Sequence, residues 1–292
     1  MAHDFAMEMK LITEAPSLHR IFSDNVLCAQ NMLLKYKSVF PSYTDHTSLH
    51  SLEVIAFCNE LIGDYLSQLN TDEIFILLMA SYLHDSGMGI TEKDYFEFCE
   101  QLPQVKNYIS QHAGANISEV VRIFHHEFSG CYIEKYKMLF DFPSEEHLFA
   151  VIQVSRGHRK TDLYDENEYP GEYILPNGNV VHLPYLAALI RLADELDIAA
   201  DRNIQFLYDI NDVAIKESYM EFKKHTAIKE VNFEKDCFTV RVEYDKENEP
   251  NMKDELQKLF DKLKITLDEC VDVTKKRTPF EIKQTEISVV GL

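Results

Sequence analysis

An uninterrupted apolar run, Ile74-Phe75-Ile76-Leu77-Leu78-Met79-Ala80-Ser81-Tyr82-Leu83, stops abruptly at His84-Asp85-Ser86-Gly87. The run is long enough for a buried helix and too short to cross a membrane. His84 and Asp85 therefore stand at the C-terminal end of a core helix, where bare polar groups are costly to bury. A metal ion satisfies both. So does a hydrogen-bonded histidine beside a capping aspartate, and this stretch alone does not separate the two.

Helical periodicity recurs on either side. The first forty residues read as helical, chiefly Leu18 to Tyr36, with Pro41 as a stop. Thr44-Asp45-His46-Thr47-Ser48 supplies N-cap candidates for a helix carrying Leu49, Leu52, Ile55, Cys58, Leu61 and Ile62, with His50 in its first turn. Thr71-Asp72-Glu73 starts the apolar helix. Residues 90–114 read as a short helix and loops. Ile117, Val120, Val121, Phe124 and Phe128 then mark a helix that sets His125 beside the apolar stripe and points His126 nearly the opposite way. Another helix opens at Pro143-Ser144-Glu145-Glu146 and ends in Arg156-Gly157-His158-Arg159-Lys160. A small hairpin follows around Asn177-Gly178. On the helix Tyr185–Leu196, Asp194 and Asp197 fall on or beside the inner stripe, where a carboxylate needs a partner, and Glu195 points away.

The last ninety residues change period. Cys237–Tyr244 alternates as a half-buried strand, Val231–Phe233 pairs with it, Met252–Val273 is a helix and Glu281–Val290 a final strand. The expected fold is mainly α, a helical core over residues 1–205 with a small β-β-α-β subdomain over 206–292.

Charge and cysteines narrow the function classes. A net charge of −20 argues against a non-specific DNA or RNA binder. The six cysteines form no CxxC or Cys/His knuckle, so a thiolate zinc site is not expected. Scattered cysteines fit a reducing cytoplasm, and no signal peptide or membrane span is evident.

Five segments begin or end with a polar residue on a buried face: His50, His84-Asp85, His125, His158 and Asp194. Each has a bland alternative. His50 could be a surface residue, His125 a half-buried hydrogen-bonded histidine with His126 as the rival ligand, and His158 a helix C-cap. Asp194 could pair with Arg191 or Arg202. The order H…HD…H…H…D resembles the HD-domain superfamily of metal-dependent phosphohydrolases over about residues 40–200. Tyr43-Thr44-Asp45-His46, Arg156-Gly157-His158-Arg159, Leu192-Ala193-Asp194-Glu195-Leu196-Asp197 and Glu221-Phe222-Lys223-Lys224-His225 look most like the HD-CE branch. Members of that branch can accompany Hsp90-like ATPase domains, and none is evident here.

The resemblance implies one or two divalent ions (Mn, Ni, Fe, Zn or Mg). His50, His84, Asp85 and Asp194 would hold one, and Asp85 would bridge to a second held by His125 and His158. Imidazole and carboxylate donors suit such ions without sulfur. Asp85 would be central to catalysis, and His46 or Asp45 a proton donor or an outer partner. Arg156 or Arg159 would meet substrate phosphate, unless they pair with Asp162 or Asp165. Asp197 would orient a ligand or a water. Two departures stand out. Tyr169-Pro170-Gly171 only echoes the Gly-Tyr-Pro segment of cyclic-dinucleotide enzymes, and Gly157 stands where those tend to carry a second adjacent histidine. Cyclic di-GMP is therefore not the favoured substrate. The expected function is hydrolysis of a phosphorylated small molecule, foremost a nucleotide. The rivals are a di-iron oxygenase and a non-enzymatic nucleotide sensor whose C-terminal subdomain binds a partner or a second copy of the chain.

Overall fold

The computed structural model describes residues 6–33, 48–198, 223–247 and 249–292. Among these the chain is mainly α-helical with two small sheets. Helices α1 (Ala6–Glu14), α2 (Pro16–Leu33), α3 (Ser48–Ile62) and α4 (Thr71–Leu83) come first. They are followed by α5 (Glu92–Gln101), α6 (Pro103–Gln111), α7 (Ile117–Lys135) and α8 (Glu145–Gly157). A hairpin of β1 (Tyr173–Ile174) and β2 (Val180–Val181) precedes α9 (Leu183–Leu196). The C-terminal unit is β3 (Ile228–Phe233), β4 (Cys237–Val242), α10 (Met252–Arg277) and β5 (Glu286–Val290).

Helix α4 is the axis of the core. It is buried from Asp72 to Leu83 and packed by α1, α2, α3, α8 and α9. Asn70 and Glu73 form a reciprocal capping box at its start. Two buried carboxylates there are fully engaged. Asp72 meets His147 at 2.9 Å and the side-chain amides of Asn177 and Asn179, while Glu73 lies 2.7 Å from Nδ1 of His182. These bonds pin α8 and the hairpin turn to the same end of α4. Its opposite end, His84-Asp85, is thereby held at a fixed distance along a rigid rod.

The C-terminal unit has the β-β-α-β order read from the sequence. β3 and β4 are antiparallel, and β5 returns through α10 to run parallel to β4. Leu256, Phe260, Leu263, Leu267 and Cys270 form the buried face of α10, which packs on α9.

Two elements differ from the sequence reading. Residues 90–114 form two helices, because Thr91 and Asp94 make a capping box for α5 and Pro103 occupies the first turn of α6, where its missing N–H costs nothing. The helical reading of the N-terminal residues holds from Ala6 to Leu33, but as two helices that part at Ala15, with Pro16 opening the second. Tyr36, Pro41, the Tyr43–His46 motif, Arg202, the boundary at 205/206 and Glu221-Phe222 lie outside the described residues. No single described helix is long and apolar enough to cross a membrane.

Candidate metal centre

Helix ends build the site. His84 is the C-cap of α4, His158 is the C-cap of α8, and Asp194 lies in the last turn of α9. Three helix C-termini thus turn their partial negative charge toward one point, which favours a cation there. His50 enters from the first turn of α3, and His125 from α7 just past Phe124, whose φ/ψ of −114°/15° breaks the helical path.

The histidine tautomers follow from acceptors that can only accept. Nδ1 of His84 faces the carbonyl of Ser81 at 3.0 Å, Nδ1 of His125 that of Arg122 at 2.8 Å, and Nδ1 of His158 that of Ser155 at 2.6 Å. Nδ1 of His50 lies 2.5 Å from the Oδ2 of Asp197. Each Nδ1 therefore carries the proton, and each neutral ring turns an Nε2 lone pair inward. This is the arrangement that orients metal-ligating histidines.

The inward nitrogens gather in two pairs. The Nε2 atoms of His50 and His84 are 3.1 Å apart, and those of His125 and His158 are 2.9 Å apart. Lone pair facing lone pair at such distances calls for a cation. Asp85 stands between the pairs with its two oxygens divided. Oδ2 lies 3.5 Å from His50 and 3.3 Å from His84, and Oδ1 lies 3.5 Å from His125 and 3.6 Å from His158. Oδ1 of Asp194 joins the first pair, 3.2 Å from His50 and 3.9 Å from His84. Two overlapping groups can each hold an ion: His50, His84 and Asp85, and Asp85, His125 and His158. The donors fit a divalent metal in kind and number.

Burial and neighbouring charge set the protonation states. Complete burial, reinforced by His84 and His125, holds His158 well below its usual pKa, so the ring stays in the ligating neutral form.

The remaining predicted residues fall outside the cluster. His126 is 5% exposed rather than turned to solvent. It stays outside both ligand groups, its Nδ1 has no hydrogen-bond partner, and its Nε2 lies 3.9 Å from Glu127. Burial, then the charges of His125 and three arginines, lower its pKa to about 2. Arg156 is engaged by Glu127, Glu168 and Gln153, not by Asp162 or Asp165. Arg159 is partly exposed, with Nη1 3.4 Å from Glu195. Arg191 does not pair with Asp194. It binds the carbonyls of Gly157 and Thr161 and the carboxylate of Glu269, tying α9 and α10 to the segment that carries His158. Tyr169 is fully buried, its hydroxyl bonded to the Gln153 carbonyl and to Thr161. His46 lies outside the described residues. At Gly157 an added Cβ would meet the Cβ of Ala187 at 2.5 Å, so the position adjoining His158 has no room for a second histidine.

Sequence reasoning missed Ser129. Its hydroxyl donates to the carbonyl of His84 at 2.5 Å and accepts the N–H of Gly87 at 2.8 Å. A serine on an apolar helix gives no signal of such a contact.

Four histidines and two aspartates thus form a buried cradle, divided about Asp85, whose His and Asp groups could hold a metal ion on a helical scaffold. The HD-CE family matches residues 40–272, and the chain belongs to that family. No curated protein and no solved structure matches it significantly.

Proposed function

We propose that this protein is a metal-dependent phosphohydrolase acting on a phosphorylated small molecule, with nucleotides the foremost class. The divided carboxylate of Asp85 carries the reading. One side chain serves both histidine pairs, as a two-ion clamp for phosphoryl transfer requires. When bound, divalent ions supply an acidified water and neutralise phosphoryl charge. The chain's own part is to hold that chemistry in place. His50, His84, Asp85 and Asp194 would hold one ion, and Asp85, His125 and His158 the other. Asp197 and three backbone carbonyls keep the rings in the ligating tautomer.

Substrate contacts beyond the ions divide between two arginines. Arg156 already faces two carboxylates and serves as a tie between α7, α8 and the following loop. Arg159, with its longer ion pair and partial exposure, is the side chain able to turn to a phosphate. The unpaired cysteines support a reducing, cytoplasmic setting.

The test is a panel of nucleotides and phosphoesters with the metal-stripped chain reloaded with Mn, Ni, Fe, Zn or Mg. Release of phosphate that depends on the added ion supports the proposal. Bound iron with oxygen uptake and no phosphate release moves the chain to oxygenase chemistry. Nucleotide binding without turnover at full metal loading makes it a sensor.

A further inference from the structure

The two halves of the metal cradle sit on different elements, and one hydroxyl joins them. His84 and Asp85 belong to the corner that ends α4, and His125 belongs to α7. Ser129 lies on α7 one turn beyond His125 and is fully buried. Its Oγ donates to the carbonyl of His84 and accepts from the N–H of Gly87, so it spans the corner on both sides of Asp85. The corner and α7 meet backbone to backbone here. A Cβ on Gly87 would stand 2.2 Å from the carbonyl oxygen of His125 and 2.5 Å from the amide nitrogen of Ser129. Glycine permits that approach, and the Ser129 hydroxyl occupies the polar groups it would otherwise strand.

We infer that Ser129 is a positioning residue that sets the register of the His84-Asp85 corner against His125, and so couples the two ion sites. The inference rests on the two-ion reading above. Its reasoning is geometric. The His50 side keeps its own anchor in Asp197, and the His84 ring keeps its bond to Ser81. The pair of His125 and His158 reaches the rest of the site through Asp85, whose place relative to α7 depends on the Ser129 contacts. Loss of the hydroxyl should therefore weaken one ion site more than the other.

The experiment is calorimetric titration of Mn²⁺ into the metal-stripped full chain, for wild type, Ser129→Ala and Ser129→Cys. The cysteine keeps the buried volume and gives up the strong hydrogen bonds. Circular dichroism verifies the fold, and Ser129→Cys is the reporting variant if Ser129→Ala does not fold. The expected result is two binding steps in wild type. In the variants, one step stays within about threefold and the other weakens about ten- to a hundredfold, the range for lost outer-sphere partners. Equal weakening of both steps, unchanged steps, or wild-type affinities in Ser129→Cys overturn the inference while leaving the two-ion reading intact. A single step in wild type overturns the two-ion reading itself, and this inference with it.

Discussion

Oδ2 of Asp197 lies 2.5 Å from Nδ1 of His50, joining the C-cap of α9 to the first turn of α3. The contact fixes which nitrogen of His50 faces the cluster. Asp197→Asn removes the charge and lets the amide bond either tautomer. Metal affinity should fall about ten- to a hundredfold with the fold intact. Equilibrium dialysis against Mn²⁺ measures it, and unchanged affinity would make the contact purely structural.

His125 and His126 are neighbours in sequence and both are buried, yet only His125 points its Nε2 at His158 and Asp85. His125→Ala should lose one ion per chain by elemental analysis, and His126→Ala should keep both. Greater metal loss from His126→Ala would reverse the assignment.

Gly157 closes α8 with no room for a side chain, since a Cβ would press on Ala187 at 2.5 Å and come within 3.5 Å of Tyr169. Gly157→Ala should cost about 1–3 kcal/mol by overpacking, read as a lowered urea midpoint. An unchanged midpoint would mean that α9 yields at Ala187.

Asp94 gives the fold a specific acid sensitivity. Burial alone would raise its pKa, but bonds from Lys135, Thr91 and Tyr136 hold it at about 2, below the ordinary 3.8. A carboxylate lowered by folding stabilises fully above its unfolded value, and that stability fades as pH falls through the folded value. Asp94→Asn should cost about 1.5–3 kcal/mol at neutral pH, and the gap from wild type should narrow between pH 4 and pH 2. Urea unfolding across that range measures it, and a gap that widens toward acid would contradict the sign.

The parts of the site legible in the sequence are those set by local pattern. An apolar run ending on His84-Asp85 can fold as little else than a core helix with a polar end, and Asp194 stands out as an acid on an apolar stripe. What tertiary packing decides was not legible. A helical wheel assigns α7 one buried face, but α8 packs along it as well and the path breaks at Phe124, so His126 is covered too. The acidic partners of Arg156 are Glu127 on α7 and Glu168, not the nearest acids in sequence. Ser129 becomes visible only once the corner of α4 lies against α7.

Among the described residues Asp85 is the one side chain shared by both histidine pairs, so Asp85→Ala should remove the bridge and with it hydrolysis. The direct measurement is phosphate release from a responsive substrate by wild type and Asp85→Ala, with metal content determined on the same samples. The proposed chemistry requires ion-dependent release by wild type, with both metal content and turnover lost in Asp85→Ala. An Asp85→Ala chain that keeps two ions and full turnover would contradict it.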